Sequence, residues 1–236
     1  MPIIHVNAGD RLPCTLSLDE CGPVIIMVHG FKYAPGHVTE CPHRHIFALD
    51  PARDCFKVVS WPRGLGFDGR APGEGLAIGF GWNARGSPWR AYGEAARAGQ
   101  ALADLVSAVR RRAPHRPVHA IAHSFGARVV LAALAHLAPG ALGRIILLAG
   151  AEFGHNAGAA LDTPAGRAAE IVNVTTREND LYDALLEWLM PAPARGDRSL
   201  GLALRPGANV LTLQLDDGDT LAALGRAGFD IAPPTA

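Results

Sequence analysis

Ser124 lies in Ala122-His123-Ser124-Phe125-Gly126, between the apolar run VHAIA (118–122) and the helical pattern FGARVVLAALAHL. A serine hydroxyl at such a junction can cap the helix by accepting from its first free N–H groups. It can instead serve as a nucleophile, provided that the turn is sharp enough to leave the oxygen exposed. The neighbours favour the nucleophile, because Ala122, Gly126 and Ala127 are all small. A sharp strand-to-helix turn brings two backbones together and leaves little room on either side of its apex. The apex residue is then strained, and the helix N-terminus faces the reacting atoms, where developing negative charge is stabilised.

A nucleophilic serine needs a base to take its proton and a carboxylate to orient that base. The carboxylates in a suitable place end the segment IVNVTTREND (171–180), namely Glu178 and Asp180. Asp180 is the better candidate, and its rival role is to cap the helical pattern LYDALLEWLM. Among the 10 histidines, His29 ends VIIMVHGF (24–31), His123 adjoins the serine, and His155 in GAEFGHN is the last in the chain. A sharp turn at Ser124 directs His123 away from it.

The pair AHSFG and VIIMVHGF resembles the alpha/beta-hydrolase superfamily, in particular its esterase- and lipase-like members, over roughly residues 22–190. AHSFG is similar to the nucleophile elbow G-x-S-x-G, with Ala in place of the first glycine. The resemblance implies Ser124 as nucleophile, the Phe31 and Phe125 N–H groups as an oxyanion hole, and His29 as a brace for the oxyanion loop. It also implies Asp180 as the acid and a histidine after the last strand. NVLTLQL (209–215) is that strand, and the DDGDTLAALGRAGFDIAPPTA after it holds no histidine. Three explanations compete: a histidine in a segment beyond Ala236, substitution by His155, or a hydrolase-fold scaffold that binds without catalysing. The first is favoured. The function expected is hydrolysis of a small-molecule carboxylic ester through an acyl-enzyme on Ser124, without cofactor or metal, with short or medium acyl chains preferred. The rival is a non-catalytic binding or interaction protein.

The elements that must position these residues follow an α/β pattern. Short apolar runs alternate with helical patterns, predicting a mainly parallel sheet of about 6–8 strands with helices on both faces, in one domain over 1–236. The runs are VIIMV (24–28), FKVVS (56–60), VHAIA, RIILLA (144–149), IVNVT (171–175) and NVLTLQL, with IIHV and CTLSL as further edge candidates. Ser87-Pro88 opens a long helix, since serine caps well and proline suits the first helical position. It closes on Arg110-Arg111-Arg112, cations that complement the helix dipole. Residues 64–81 carry seven glycines without the spacing of a phosphate loop. Segments 34–54, 64–87 and 191–208 are expected as lid or pocket loops.

The 236 residues carry 22 basic and 22 acidic side chains, for zero formal net charge. That balance gives no electrostatic footprint for nucleic acid or an anionic membrane. No apolar stretch is long enough for a membrane span, and the first residues do not form a secretory signal. Four cysteines in a chain of this size are expected as reduced thiols in a cytoplasmic protein. Cys41, His43, His45 and Cys55 offer zinc-type donors, but their spacing matches no paired-ligand pattern, and a histidine-rich loop beside a pocket is the preferred reading. Phe31, Trp61, Phe80, Trp82, Trp89 and Phe125 are candidates for an apolar acyl pocket or for plain core.

Overall fold

The computed structural model describes residues 3–18, 21–52, 59–70, 73–204 and 206–229. Seven strands form one sheet: β1 (Ile3–Asn7), β2 (Val24–Val28), β3 (Leu76–Gly81), β4 (Val118–His123), β5 (Arg144–Leu148), β6 (Glu170–Thr175) and β7 (Val210–Gln214). Their order is β1-β3-β2-β4-β5-β6-β7, and every neighbouring pair is parallel. Parallel strands need long crossovers, and here these carry the helices. The helices are α1 (Trp61–Gly64), α2 (Pro88–Arg112), α3 (Phe125–Ala133), α4 (Gly154–Leu161), α5 (Pro164–Ala168), α6 (Asp180–Leu189), α7 (Leu200–Ala203) and α8 (Gly218–Arg226). The α/β fold expected from the alternating pattern is the fold observed.

Several elements show why their residues form them. Ser87 caps α2 by accepting from the Arg90 N–H at 3.3 Å, with Pro88 at the first helical position. The three arginines close the same helix, and Arg112 reaches back to donate to the Pro13, Cys14 and Leu16 carbonyls. The central strands are apolar on both sides because helices cover both faces of the sheet.

The glycine-rich stretch 64–87 departs from expectation, because it is not simply a loop. It contains β3, whose six residues are all buried between β1 and β2. Side chains cross the strand where it has glycine: a Cβ on Gly79 would lie 2.9 Å from Phe47 Cδ2, and one on Gly81 2.7 Å from His43 Nε2. Glycine in a strand interior often marks such close approach. Most of FKVVS falls outside the described residues. Val59 and Ser60 are not in a strand, and Ser60 caps α1 instead. CTLSL forms no strand either.

The other two expected loops are partly ordered into the body. Segment 34–54 makes a 3-10 turn at Pro42–Arg44 and buries Ile46 and Phe47. Segment 191–208 carries α7 and is pinned by three backbone donors. Leu200 N donates to Glu152 O at 2.7 Å, Gly154 N to Arg198 O at 2.8 Å, and Ser199 N to Glu187 Oε1 at 2.9 Å. Of the aromatic residues considered for a pocket, Phe80 and Trp82 lie in the core, whereas Trp89 is exposed with its indole N–H on Leu189 O.

Candidate nucleophile site at the carboxyl edge

β2 and β4 are neighbours, yet the chain leaves β2 toward β3 and leaves β4 toward β5. Ligands of open α/β sheets bind at such a switch point, outside the carboxyl ends of the strands. Ser124 stands at the end of β4 with φ 53° and ψ −125°, a conformation normally reserved for glycine. Its hydroxyl makes no cap bond to α3, which removes the capping role. The backbone is held on both sides: Ser124 N donates to Leu148 O at 3.0 Å, and Ser124 O accepts from Ala127 N at 2.9 Å and Ala151 N at 3.1 Å.

Among the described residues, the other non-glycine residues with positive φ are Lys32 at 77° and Ala149 at 46°. Both follow strands at this same edge, β2 and β5. Each such residue costs about 1–3 kcal/mol and persists only where its surroundings over-determine it. The small residue at 126 has the reason expected of it. A Cβ on Gly126 would lie 2.5 Å from Val28 O, so α3 enters directly against the end of β2.

Phe31 and Phe125 flank the serine from the two strand ends, with ring centroids 5.8 Å apart. Among the described residues neither backbone N–H has a protein acceptor. Phe125 opens α3, where the first N–H groups have no partner within the helix. His29 is fully buried, its ring parallel to the Trp82 indole at 5.5 Å. Its Nδ1 lies 2.9 Å from Gly30 O and its Nε2 3.1 Å from Trp82 N, which assigns the proton to Nδ1. Burial pulls its pKa down to about 3, so the ring is neutral. Both nitrogens are engaged in bracing, and neither is hydrogen-bonded to Ser124.

Neither carboxylate expected to serve the serine is hydrogen-bonded to a histidine among the described residues. Asp180 is exposed in the first turn of α6, without hydrogen bond or ion pair among the described residues, and Glu178 is also exposed. Asn179, not Asp180, occupies the cap position. The buried carboxylate of this region is Asp183, against Gly201, and burial raises its pKa. The sequence reading missed it, although the spacing Asp183, Leu186, Met190 puts it on the inner face of α6.

No hydrogen bond joins Ser124 to a histidine among the described residues. The ring of His123 keeps contact with solvent although the surrounding protein lowers its pKa by desolvation. His155 is exposed at the start of α4, and its backbone N–H donates to the Asp197 carboxylate at 3.1 and 3.2 Å. It lines a separate cavity of ≈ 710 Å³ with Asp197 and Asn209. The turn after β7 carries Asp216, which accepts from Arg177 N at 3.0 Å and is held below the usual carboxylate range by that bond. Asp217 caps α8.

His43 is engaged with β1, its Nε2 2.7 Å from Asn7 Oδ1 and its ring stacked on His5 at 4.4 Å. Among the described residues no group of three or more His, Cys, Asp or Glu side chains is arranged to hold a metal ion. Cys14, Cys21 and Cys41 are free thiols, and Cys55 lies outside the described residues. No described helix is long and apolar enough to cross a membrane.

A family described as "Protein of unknown function (DUF726)" matches residues 83–154, which run from the entry of α2 through β4, Ser124, α3 and β5 to the start of α4. The match takes in less than a third of the chain. No curated protein matches.

Proposed function

We propose that this protein is a carboxylic ester hydrolase that forms an acyl-enzyme on Ser124. The observation that carries the reading is the backbone at Ser124, strained at φ 53° with its hydroxyl committed to no cap. Strain of this kind is retained where it serves a site. Ser124 Oγ attacks the carbonyl carbon, and the Phe31 and Phe125 N–H groups receive the negative charge on the carbonyl oxygen. Losing one such donor typically costs about 100- to 1000-fold in rate. Collapse of the intermediate breaks the C–O bond to the alcohol, which leaves with the serine's proton. Water then attacks the acyl-enzyme, releasing the acid and restoring the serine. The substrate class is a small-molecule ester of short or medium acyl chain.

Asp180 is the proposed acid, as the preferred carboxylate after β6. The proton carrier between serine and leaving group is not assigned to a described residue. That one gap favours a second reading, a hydrolase-fold protein that binds in the same place without turnover. A fluorophosphonate probe separates the two. Stoichiometric labelling that is lost in Ser124→Ala supports the hydrolase, and no labelling supports the binder. Ester and amide panels then test the substrate: amide turnover equal to ester turnover would exclude the ester assignment.

A further inference from the structure

Behind the serine lies a buried polar network with no counterpart in the chemistry above. Glu152, in the turn after β5, is 2 % exposed and ion-paired to Arg128 of α3. Its Oε1 accepts from Tyr92 Oη of α2 at 2.6 Å, Phe153 N at 2.7 Å and Asn156 Nδ2 of α4 at 3.0 Å. Arg128 also donates from Nε to Tyr92 O at 2.9 Å and lies 3.6 Å over the Tyr92 ring. One carboxylate therefore ties together α2, α3, α4 and the β5 turn.

Two further contacts connect this knot to the candidate site. Arg128 is one helical turn after Ser124, and Ala151, beside Glu152, donates to Ser124 O. Tyr92 packs its ring edge-on to Phe125, whose N–H is a proposed oxyanion donor, at 5.8 Å. The two elements that fix φ at Ser124, the start of α3 and the β5 turn, are thus joined through Glu152. A strained residue relaxes unless both flanks are held, and a buried, fully paired carboxylate holds them rigidly.

We propose that Glu152 is a positioning residue, which through Arg128 and Tyr92 holds Ser124 and the Phe125 N–H in their reactive arrangement. The inference rests on the nucleophile reading for its rate effect, but not for its structural effect.

The test uses the full chain, with Glu152→Gln and the milder Tyr92→Phe, which removes only the hydroxyl. Hydrogen exchange reads the elbow directly, whether or not the serine reacts. In both variants the amides of Ser124, Ala127 and Ala151, which are hydrogen-bonded in the turn, are expected to exchange at least tenfold faster, with β2 unchanged. Equal protection in the variants, or equal loosening across the chain, overturns the proposal. Fluorophosphonate kinetics supply the second readout: the maximal labelling rate falls at least tenfold in Glu152→Gln while the half-saturating probe concentration stays within twofold. A wild-type chain that does not label removes the hydrolase reading and leaves the exchange result to decide. A labelling wild type with unchanged variant rates removes the positioning role alone. If Glu152→Gln does not fold, Tyr92→Phe decides by the same two measurements.

Discussion

Gly30 and Ser124 touch across the gap between β2 and β4: a Cβ built on Gly30 would lie 2.8 Å from Ser124 Cβ and 2.9 Å from His123 O. Real Cβ atoms do not approach so closely, so any side chain at 30 must push apart the two strand ends that flank the serine. Overpacking of this kind costs about 1–3 kcal/mol. Gly30→Ala is expected to destabilise the chain by that amount and to lower fluorophosphonate labelling at least 100-fold, because it displaces Phe31 as well. Denaturant midpoints and labelling rates check both. Wild-type labelling in Gly30→Ala would remove the Phe31 N–H from the site.

Ser124 itself gives a prediction of opposite sign. Its φ of 53° suits glycine and burdens any residue with a Cβ. Ser124→Gly is expected to raise stability by about 1 kcal/mol, up to the larger end of the strain range, while abolishing labelling. Ser124→Ala keeps the Cβ and so keeps the strain. The comparison of the two by chemical denaturation isolates strain from the loss of the hydroxyl. A glycine variant no more stable than the alanine variant would show that the turn is not strained.

How much of this arrangement was readable from residue order depends on which kind of signal each part leaves. β2 matches its apolar run residue for residue, and β4 to β7 fall within one residue of theirs, because buried parallel strands need uninterrupted apolar side chains. β3 did not stand out, since Gly79 and Gly81 make room for Phe47 and His43 and so mimic loop composition. The turn at Ser124 was legible from its small neighbours. Glu152 and Asp183 were not, because burial of a carboxylate depends on partners far along the chain. Glu152 is 60 residues from Tyr92 and 24 from Arg128. The local hint for Glu152 was an arginine inside the apolar pattern FGARVVLAA, a charge that must find a partner when its helix is buried.

Asp180 differs from Asp183 in exposure, and their variants should differ accordingly. A catalytic carboxylate acts through an imidazole that it orients. As the proposed acid, exposed in the first turn of α6, Asp180 is needed for reaction rather than for folding, so Asp180→Asn is expected to lower the labelling rate at least tenfold with little change in the denaturation midpoint. Asp183→Asn removes a buried group whose charged form burial disfavours. Since its folded pKa is raised, Asp183 favours the folded state fully below its unfolded value, and that contribution is lost as pH rises through the folded value. Asp183→Asn should therefore flatten the part of the stability profile just above the ordinary carboxylate range. Wild-type labelling in Asp180→Asn would instead remove that carboxylate from the site.

The buried imidazole of His29 contributes to the acid limb of stability. Its folded pKa is about 3 against an ordinary value of 6.5, chiefly through desolvation. The unfolded chain therefore binds a proton between these values that the folded chain does not. Its neutral, braced state costs nothing above pH 6.5, and stability falls as the pH drops below it, by about 1.4 kcal/mol per pH unit. His43, lowered to about 4 by burial and by the neighbouring His5, adds in the same direction over a narrower window. His29→Gln removes the titrating group, so its denaturation midpoints should depend less steeply on pH between 6 and 4 than those of the wild type. The cost appears at neutral pH instead, because glutamine cannot both donate to Gly30 O and accept from Trp82 N with the reach of the ring. Parallel wild-type and variant profiles over that interval would show that His29 takes up its proton in the folded state, and the brace beneath the Phe31 turn would then have to be rebuilt around a charged ring.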